Sequence, residues 1–140
     1  MGFLTGKTAI ITGAGRAVLK DGSCGSIGYG IATAYAKEGA NLVITGRNVK
    51  KLEAAKQELE NLYGIKVLTV QADVCAGGDN EATVANVVKQ AVDTFGGIQV
   101  LINNAQASAS GVPLAEHTTE QFDLAIYSGL YAAFYYMKAC

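Results

Sequence analysis

Tryptophan is absent from this sequence, and proline and histidine occur once each. A single proline, Pro113, leaves no proline-rich linker, and no low-complexity segment or internal repeat breaks the chain. The three cysteines, Cys24, Cys75 and Cys140, are odd in number and lack Cys-x-x-Cys spacing. That pattern argues for reduced thiols rather than a disulfide framework, and no metal site is expected. The lone His117 lies among polar residues and is expected in a solvent-exposed loop. Neither sign of charge dominates: the net charge is −1, which points to neither a nucleic-acid nor a membrane-surface partner. The opening residues lack a basic n-region followed by a long apolar run, and Gly2 is not followed by the Ser/Thr of a myristoylation signal. A cytoplasmic location is therefore expected. The uncharged, apolar stretch of the last predicted helix, residues 124–137, has 14 residues and is too short to span a bilayer.

What is present suffices for one packed domain of 140 residues, half of them apolar. Short apolar runs at residues 7–12, 41–45, 66–71 and 100–103 predict buried strands. Helical patterns fill the intervals at residues 26–38, 48–63 and 81–95, with Gly39, Gly64 and Gly96-Gly97 as stops. Asn48 is the expected N-cap of the second helix, whose apolar stripe runs through Leu52, Ala55, Leu59 and Leu62. The third helix carries Val84, Val87, Val88 and Val92. Thr118-Thr119-Glu120-Gln121 fits a capping box and opens a last helix, apolar nearly all round, that needs cover on two faces. Strand–helix alternation predicts an α/β protein with a parallel sheet and helices on both faces. Two connections, residues 13–25 and 105–117, exceed the usual length, which favours a functional role.

Thr12-Gly13-Ala14-Gly15-Arg16 follows the first strand directly, and Ser26-Ile27-Gly28-Tyr29-Gly30 opens the first helix. A strand, a glycine-rich turn and a helix N-terminus together form an anion site: unpaired N–H groups and the helix dipole converge there, and glycines admit a pyrophosphate. Gly13, Gly15, Arg16, Ser26, Ile27 and Gly28 are accordingly candidate cofactor contacts.

The pattern Thr-Gly-x-x-x-Gly-x-Gly resembles the fingerprint of the short-chain dehydrogenase/reductase family, matched here at Thr12, Gly13 and Gly28. The sequence departs from it by an insertion of nine residues, 17 to 25, and by Ser26 in place of the middle glycine. The extended loop followed by Ser-Ile-x-Tyr-Gly-Ile-Ala also resembles the divergent enoyl-carrier-protein reductases of that superfamily. Asp73-Val74 looks like the family's adenine-contacting pair. Asn103-Asn104-Ala105 looks like its Asn-Asn-Ala-Gly, with Gln106 replacing the glycine, and Phe122-Asp123, Leu130 and Phe134 resemble its long interface helix. Within the family, residues 21–32, 103–108 and 125–132 resemble bacterial hydroxysteroid dehydrogenases acting on bile acids, the 12α-specific type in particular. The resemblance implies a Rossmann-type doubly wound sheet in strand order 3-2-1-4. It makes residues 1–140 the N-terminal, NAD(P)-binding half of a single-domain enzyme, truncated after the fourth strand and the interface helix. It further implies a homotetramer for the full protein.

In the family, NAD-specific members carry an acidic residue at the end of the second strand, where it accepts hydrogen bonds from the adenosine ribose and repels a 2′-phosphate. Here Gly46 and then Arg47 stand at that place. A guanidinium suits a phosphate, and Arg16 can lie near the same spot. Lys50 and Lys51 fall in the first turn of the next helix, where the dipole disfavours cations unless an anion is bound. NADP(H) is therefore expected in preference to NAD(H), with Arg47, Asp73, Val74 and Asn104 completing the candidate site.

The family's chemistry uses Asn, Ser, Tyr and Lys, with Tyr-x-x-x-Lys as the acid–base pair. None of the seven tyrosines here has a lysine four positions on. The aromatic cluster at Tyr127, Tyr131, Phe134, Tyr135 and Tyr136 is therefore expected to be a packing surface. The Ser and the Tyr/Lys pair are expected beyond residue 140, so no catalytic residue is assigned within this chain, which alone is expected to be inactive. Gly129 stands where the family asparagine should fall, with Ser128 beside it. The expected activity of the parent protein is interconversion of a secondary alcohol and a ketone, most specifically on a hydroxysteroid. A 3-oxoacyl or enoyl carrier-protein reductase, and a non-enzymatic NADP(H)-binding module, remain as alternatives.

Overall fold

The computed structural model describes residues 2–75 and 80–140. Four strands, β1 (Thr8–Thr12), β2 (Asn41–Gly46), β3 (Val67–Gln71) and β4 (Val100–Ile102), form one parallel sheet in the order β3-β2-β1-β4. The sheet is the Rossmann-type arrangement expected. Its register pairs Ala9 with both Leu42 and Val100, and Ile11 with both Ile44 and Ile102. Side chains alternate across a strand, so each strand serves two cores. Ala9, Ile11, Leu42 and Ile44 pack under helices α1 (Ile27–Lys37) and α2 (Val49–Tyr63). Ile10, Val43 and Val70 pack on the other face under α3 (Asn80–Phe95) and α5 (Ala132–Ala139). Strands covered on both faces must be apolar throughout, which is why β1 and β2 read as unbroken apolar runs.

The capping chemistry matches the sequence signals. Asn48 caps α2 by accepting from the Lys51 N–H at 3.1 Å, and Gly64 ends that helix in the left-handed region at φ +66°. Ser26 lies outside α1 as its N-cap, and Glu38 lies outside as its C-cap, one residue inside the expected limits at each end. Thr118 and Gln121 close the capping box expected for α4 (Thr119–Ala125). Three strands are one residue shorter than expected, with Lys7, Lys66 and Asn103 outside β1, β3 and β4, and β2 is one residue longer, reaching Gly46.

Two side chains expected in the core are not there. Leu62 is 63% exposed, because the last turn of α2 faces an open groove that it shares with Val18 and Tyr29. Val92 is 43% exposed, while Ala91 is fully buried. At 100° per residue, Ala91 falls on the centre of the stripe set by Val84, Val87 and Val88, and Val92 falls off its side. His117 is half-buried rather than exposed, with Nδ1 3.4 Å from the Pro113 carbonyl. The three cysteines are free. The inserted loop folds on itself through an antiparallel bridge between Val18 and Cys24.

The last helix is not one uniform helix. Between α4 and α5, residues Ile126–Tyr131 form a π-helical segment. The Ser128 hydroxyl donates to the Leu124 carbonyl at 2.7 Å, the acceptor that an α-helix would offer to the Ser128 N–H. Asn80, fully buried at the start of α3, donates from Nδ2 to the carbonyls of Tyr127 (3.1 Å) and Val74 (2.6 Å). Side chains thus compete for the helix carbonyls where the register widens, a signal that periodicity does not carry. One face of this helix is covered through Ala132 and Tyr136. Leu130, Phe134 and Met137 on the other are 63%, 52% and 63% exposed, in line with the expectation of a second, uncovered face. No helix among the described residues is long and apolar enough to cross a membrane.

The contrast along α2 is testable. Leu59→Ala should cost about 2–5 kcal/mol of stability. Leu62→Ala should stay within about 0.5 kcal/mol. Urea unfolding of the two variants measures both, and equal losses would show that the end of α2 is packed.

Candidate functional site at the carboxyl ends of the strands

The carboxyl ends of all four strands open on one edge of the sheet, where a parallel α/β fold collects its ligand-binding loops. The β1 end is anchored first. The Gly13 and Ala14 N–H groups both donate to the Thr45 carbonyl of β2, at 2.9 and 3.1 Å. Gly13 has φ +69°, which a side chain disfavours. A Cβ on Gly28 would lie 2.1 Å from the Gly13 carbonyl oxygen, so only glycine lets the first turn of α1 close onto the β1 turn. The Ser26 side chain caps the Tyr29 N–H at 3.4 Å. That leaves the N–H groups of Ile27 and Gly28 as the free donors of the helix N-terminus. The Ile27 side chain is 76% exposed at the same place.

On the β4 side, the Thr12 hydroxyl accepts from the N–H groups of Asn104 (3.0 Å) and Ala105 (2.9 Å) and lies 3.4 Å from the Ile102 carbonyl. The Asn104 Nδ2 in turn donates to the Thr12 carbonyl at 2.9 Å, with the Gly13 carbonyl 3.4 Å away. Asn104 is thus a strap between strand ends, and its amide nitrogen is taken up by the backbone.

Three adjoining clefts result. The first, of 240 Å³, runs from Gly46 and Arg47 past Asp73 and Val74 to Asn104 and Gln106. A second, of 270 Å³, lies over the turn between Gly15, Ser26, Arg47 and Lys51. The third, of 240 Å³, lies beyond β4 between Asn104, Gln106, Ser128, Gly129 and Tyr136. The floor of the second cleft is made by glycines and small side chains, and its rim carries Arg47 and Lys51. Arg47 and Lys51, with Ser26 at the N-terminus of α1, fit the phosphates of a dinucleotide.

The expected site residues separate on inspection. Gly13, Gly15, Ser26 and Arg47 line the cleft over the turn; Arg47, Asp73, Val74 and Asn104 line the first. Arg47 is exposed, its carbonyl is fixed by Gln71 Nε2 at 3.1 Å, and its guanidinium has no ion-pair partner among the described residues. Arg16 goes elsewhere. Its backbone N–H donates to the Lys51 carbonyl at 2.8 Å, but its guanidinium pairs with Glu58 on α2, and it lines none of the three clefts. The hydrogen bond to Glu58 raises its pKa. The reason is proximity: Glu58 lies within reach on the outer side of α2, a pairing that linear sequence does not display. Burial, then Glu58, pushes the Tyr29 hydroxyl up to about 12.

Asp73 Oδ1 accepts from the Cys75 N–H at 2.9 Å, which closes the turn after β3 and leaves Val74 buried. Burial first, then the Asp73 carboxylate, raises the Cys75 thiol, so it is held protonated rather than as a nucleophile. Tyr136 in the third cleft is pushed up to about 12 by burial, which disfavours proton transfer near neutral pH. Besides Lys51, whose place in the first turn of α2 the sequence already tied to a bound anion, Thr12 and Ser128 belong to the site region. Ser128 accepts from the Ala107 N–H at 2.9 Å and so fixes the loop after β4. The Thr-Gly and Lys-Lys patterns flag Thr12 and Lys51; nothing in the sequence flags the Ser128 contact, which spans 21 residues.

The family model for short chain dehydrogenases matches residues 7–140. The chain is 60% identical over 140 residues to a 12alpha-hydroxysteroid dehydrogenase of a Clostridium species, covering all of this chain and 51% of that protein. It is 37% identical over 137 residues to an uncharacterized oxidoreductase of Bacillus subtilis, covering 97% of this chain and 43% of the other. Among solved structures, L-sorbose reductase of Gluconobacter frateurii complexed with NADPH and L-sorbose superposes with a TM-score of 0.81 at 30% identity, covering 97% of this chain and 46% of that one. A metagenomic short-chain oxidoreductase in complex with NADP gives a TM-score of 0.82 at 28% identity, covering 97% and 55%. The chain therefore spans about half the length of the relatives it matches. With the glycine turn, the strand order and the matched residues in agreement, the chain belongs to the short-chain dehydrogenase family.

Proposed function

We propose that the protein is an NADP(H)-dependent oxidoreductase that interconverts a secondary alcohol and a ketone, with a hydroxysteroid of the bile-acid type as its substrate. The observation that carries the cofactor reading is the end of β2. Gly46 offers no carboxylate there, and Arg47, whose guanidinium makes no ion pair among the described residues, lines the cleft with Lys51. The substrate reading rests on the 60% identity to the 12alpha-hydroxysteroid dehydrogenase.

When bound, the nicotinamide cofactor supplies or takes up the hydride. The residues of this chain bind and orient it. The Ile27 and Gly28 N–H groups receive the pyrophosphate, Arg47 the 2′-phosphate, and Asp73 with Val74 the adenine. Asn104 keeps the β4 loop beside the turn. In this reading Arg16 serves the turn through its backbone and through Glu58, rather than binding phosphate. The acid–base pair on the substrate oxygen comes from outside residues 1–140. We propose further that the protein acts in the cytoplasm as a homotetramer, in which Leu130, Phe134 and Met137 are covered. An exposed apolar face of this kind favours association.

Three measurements test this. Arg47→Ala in the full-length protein should weaken NADP(H) by about ten- to a hundredfold, through loss of a charged hydrogen-bonding partner, and leave NAD(H) nearly unchanged. Equal losses for both cofactors in a binding titration would remove the phosphate role of Arg47. Gly46→Asp should reverse the preference, with NADP(H) weakened about tenfold or more by like-charge repulsion. A Cβ at Gly46 meets only the Leu52 side chain, at an ordinary 3.5 Å, so the urea midpoint should hardly move. Replacing Leu130 and Phe134 together by lysine should reduce the oligomer size measured by light scattering. A tetramer that survives both changes would place its interface elsewhere.

A further inference from the structure

Gln106 and Gly129 share a contact that neither the sheet nor the phosphate site requires. Gln106 is exposed directly after the Asn104-Ala105 strap. A Cβ built on Gly129 would lie 3.3 Å from the Gln106 Cγ, so the Gln106 side chain rests across the Gly129 backbone in the π-helical segment. The Gln106 Nε2 donates to the Ala107 carbonyl at 3.0 Å. Its Oε1 has no hydrogen-bond partner among the described residues. Held at its stem by Gly129 and at its nitrogen by Ala107, the carboxamide presents a positioned acceptor where the first and third clefts meet.

The order of the strand tips decides what meets this acceptor. With the 2′-phosphate at Arg47 on β2 and the pyrophosphate at the β1–α1 turn, the other end of the dinucleotide extends past β1 towards β4. We propose that Gln106 is a positioning residue for the nicotinamide half of the cofactor. Its Oε1 accepts a hydrogen bond from a donor of that half, a ribose hydroxyl or the carboxamide N–H. Gly129 serves the same end, because a side chain there must push Gln106 aside. The inference rests on the dinucleotide reading of the clefts given above.

Two probes separate the halves of the ligand: NADPH, and 2′,5′-ADP, which lacks the nicotinamide half. In titrations of the full-length protein, Gln106→Ala should weaken NADPH about fivefold, the worth of one hydrogen bond. The same variant should leave 2′,5′-ADP within about twofold, as a change remote from that probe. Gly129→Ala should weaken NADPH alone to a similar extent. The double variant should be no weaker than either single one, since residues in contact are not additive. Equal loss of both probes in Gln106→Ala, no loss of either, or additive effects of the two substitutions would overturn the proposal. A wild-type protein that binds NADH but not 2′,5′-ADP would instead overturn the phosphate reading. The same comparison between NADH and adenosine diphosphate then still decides the role of Gln106, by the same fivefold criterion.

Discussion

The junction between the β1 and β4 ends is the constraint on which the rest of the site depends. β1 lies between β2 and β4: the chain runs outward from β1 through β2 to β3, then crosses back to β4 on the other side of β1, where the direction of winding reverses. A crevice opens where the connections diverge. Left alone, the two ends would be joined only by the short β1–β4 ladder. Asn104 closes the gap by donating twice to Thr12, from its backbone N–H to the hydroxyl at 3.0 Å and from Nδ2 to the carbonyl at 2.9 Å. Thr12 is buried, so its hydroxyl must find partners, and the β4 loop supplies them. Asn104 itself lines the first and third clefts.

The charges around the turn divide into those that build it and one that faces outward. Arg16 and Glu58 neutralise each other along the outer side of α2. Both are partly exposed, so the pair contributes little to stability and mainly orients the loop. Arg47, at the end of β2, makes no ion pair among the described residues. A cation beside the N-terminus of α1 is an arrangement that an anion completes.

The π-helical segment ties the turn after β3 to the loop after β4. Asn80 bonds Val74 and Tyr127, and Ser128 bonds Ala107 and Leu124. These bonds connect the Asp73–Val74 end of the first cleft with the boundary where Gln106 rests on Gly129. The segment lies in the same helix whose outer face is uncovered, so whatever covers Leu130 and Phe134 also bears on the geometry of this boundary.

The local signals in the sequence determined the order of elements, the parallel sheet and the glycine turn, because these follow from short-range sterics and periodicity. Asn48 before a helical stripe, Gly64 after it, and Thr12-Gly13 at a strand end each act within a few residues of themselves. Arg47 was legible for the same reason, since its place follows directly from the end of β2. Only the tertiary structure decided the pairings that cross the chain. Arg16 reached Glu58 over 42 positions, Thr12 reached Asn104 over 92, and Asn80 reached Tyr127 over 47. It also decided that Leu62 stays exposed, that the last helix widens into a π segment, and that Gly129 makes room for Gln106. Such contacts depend on how helices dock on the sheet, and docking is set by the summed packing of both faces rather than by any one residue's neighbours in sequence.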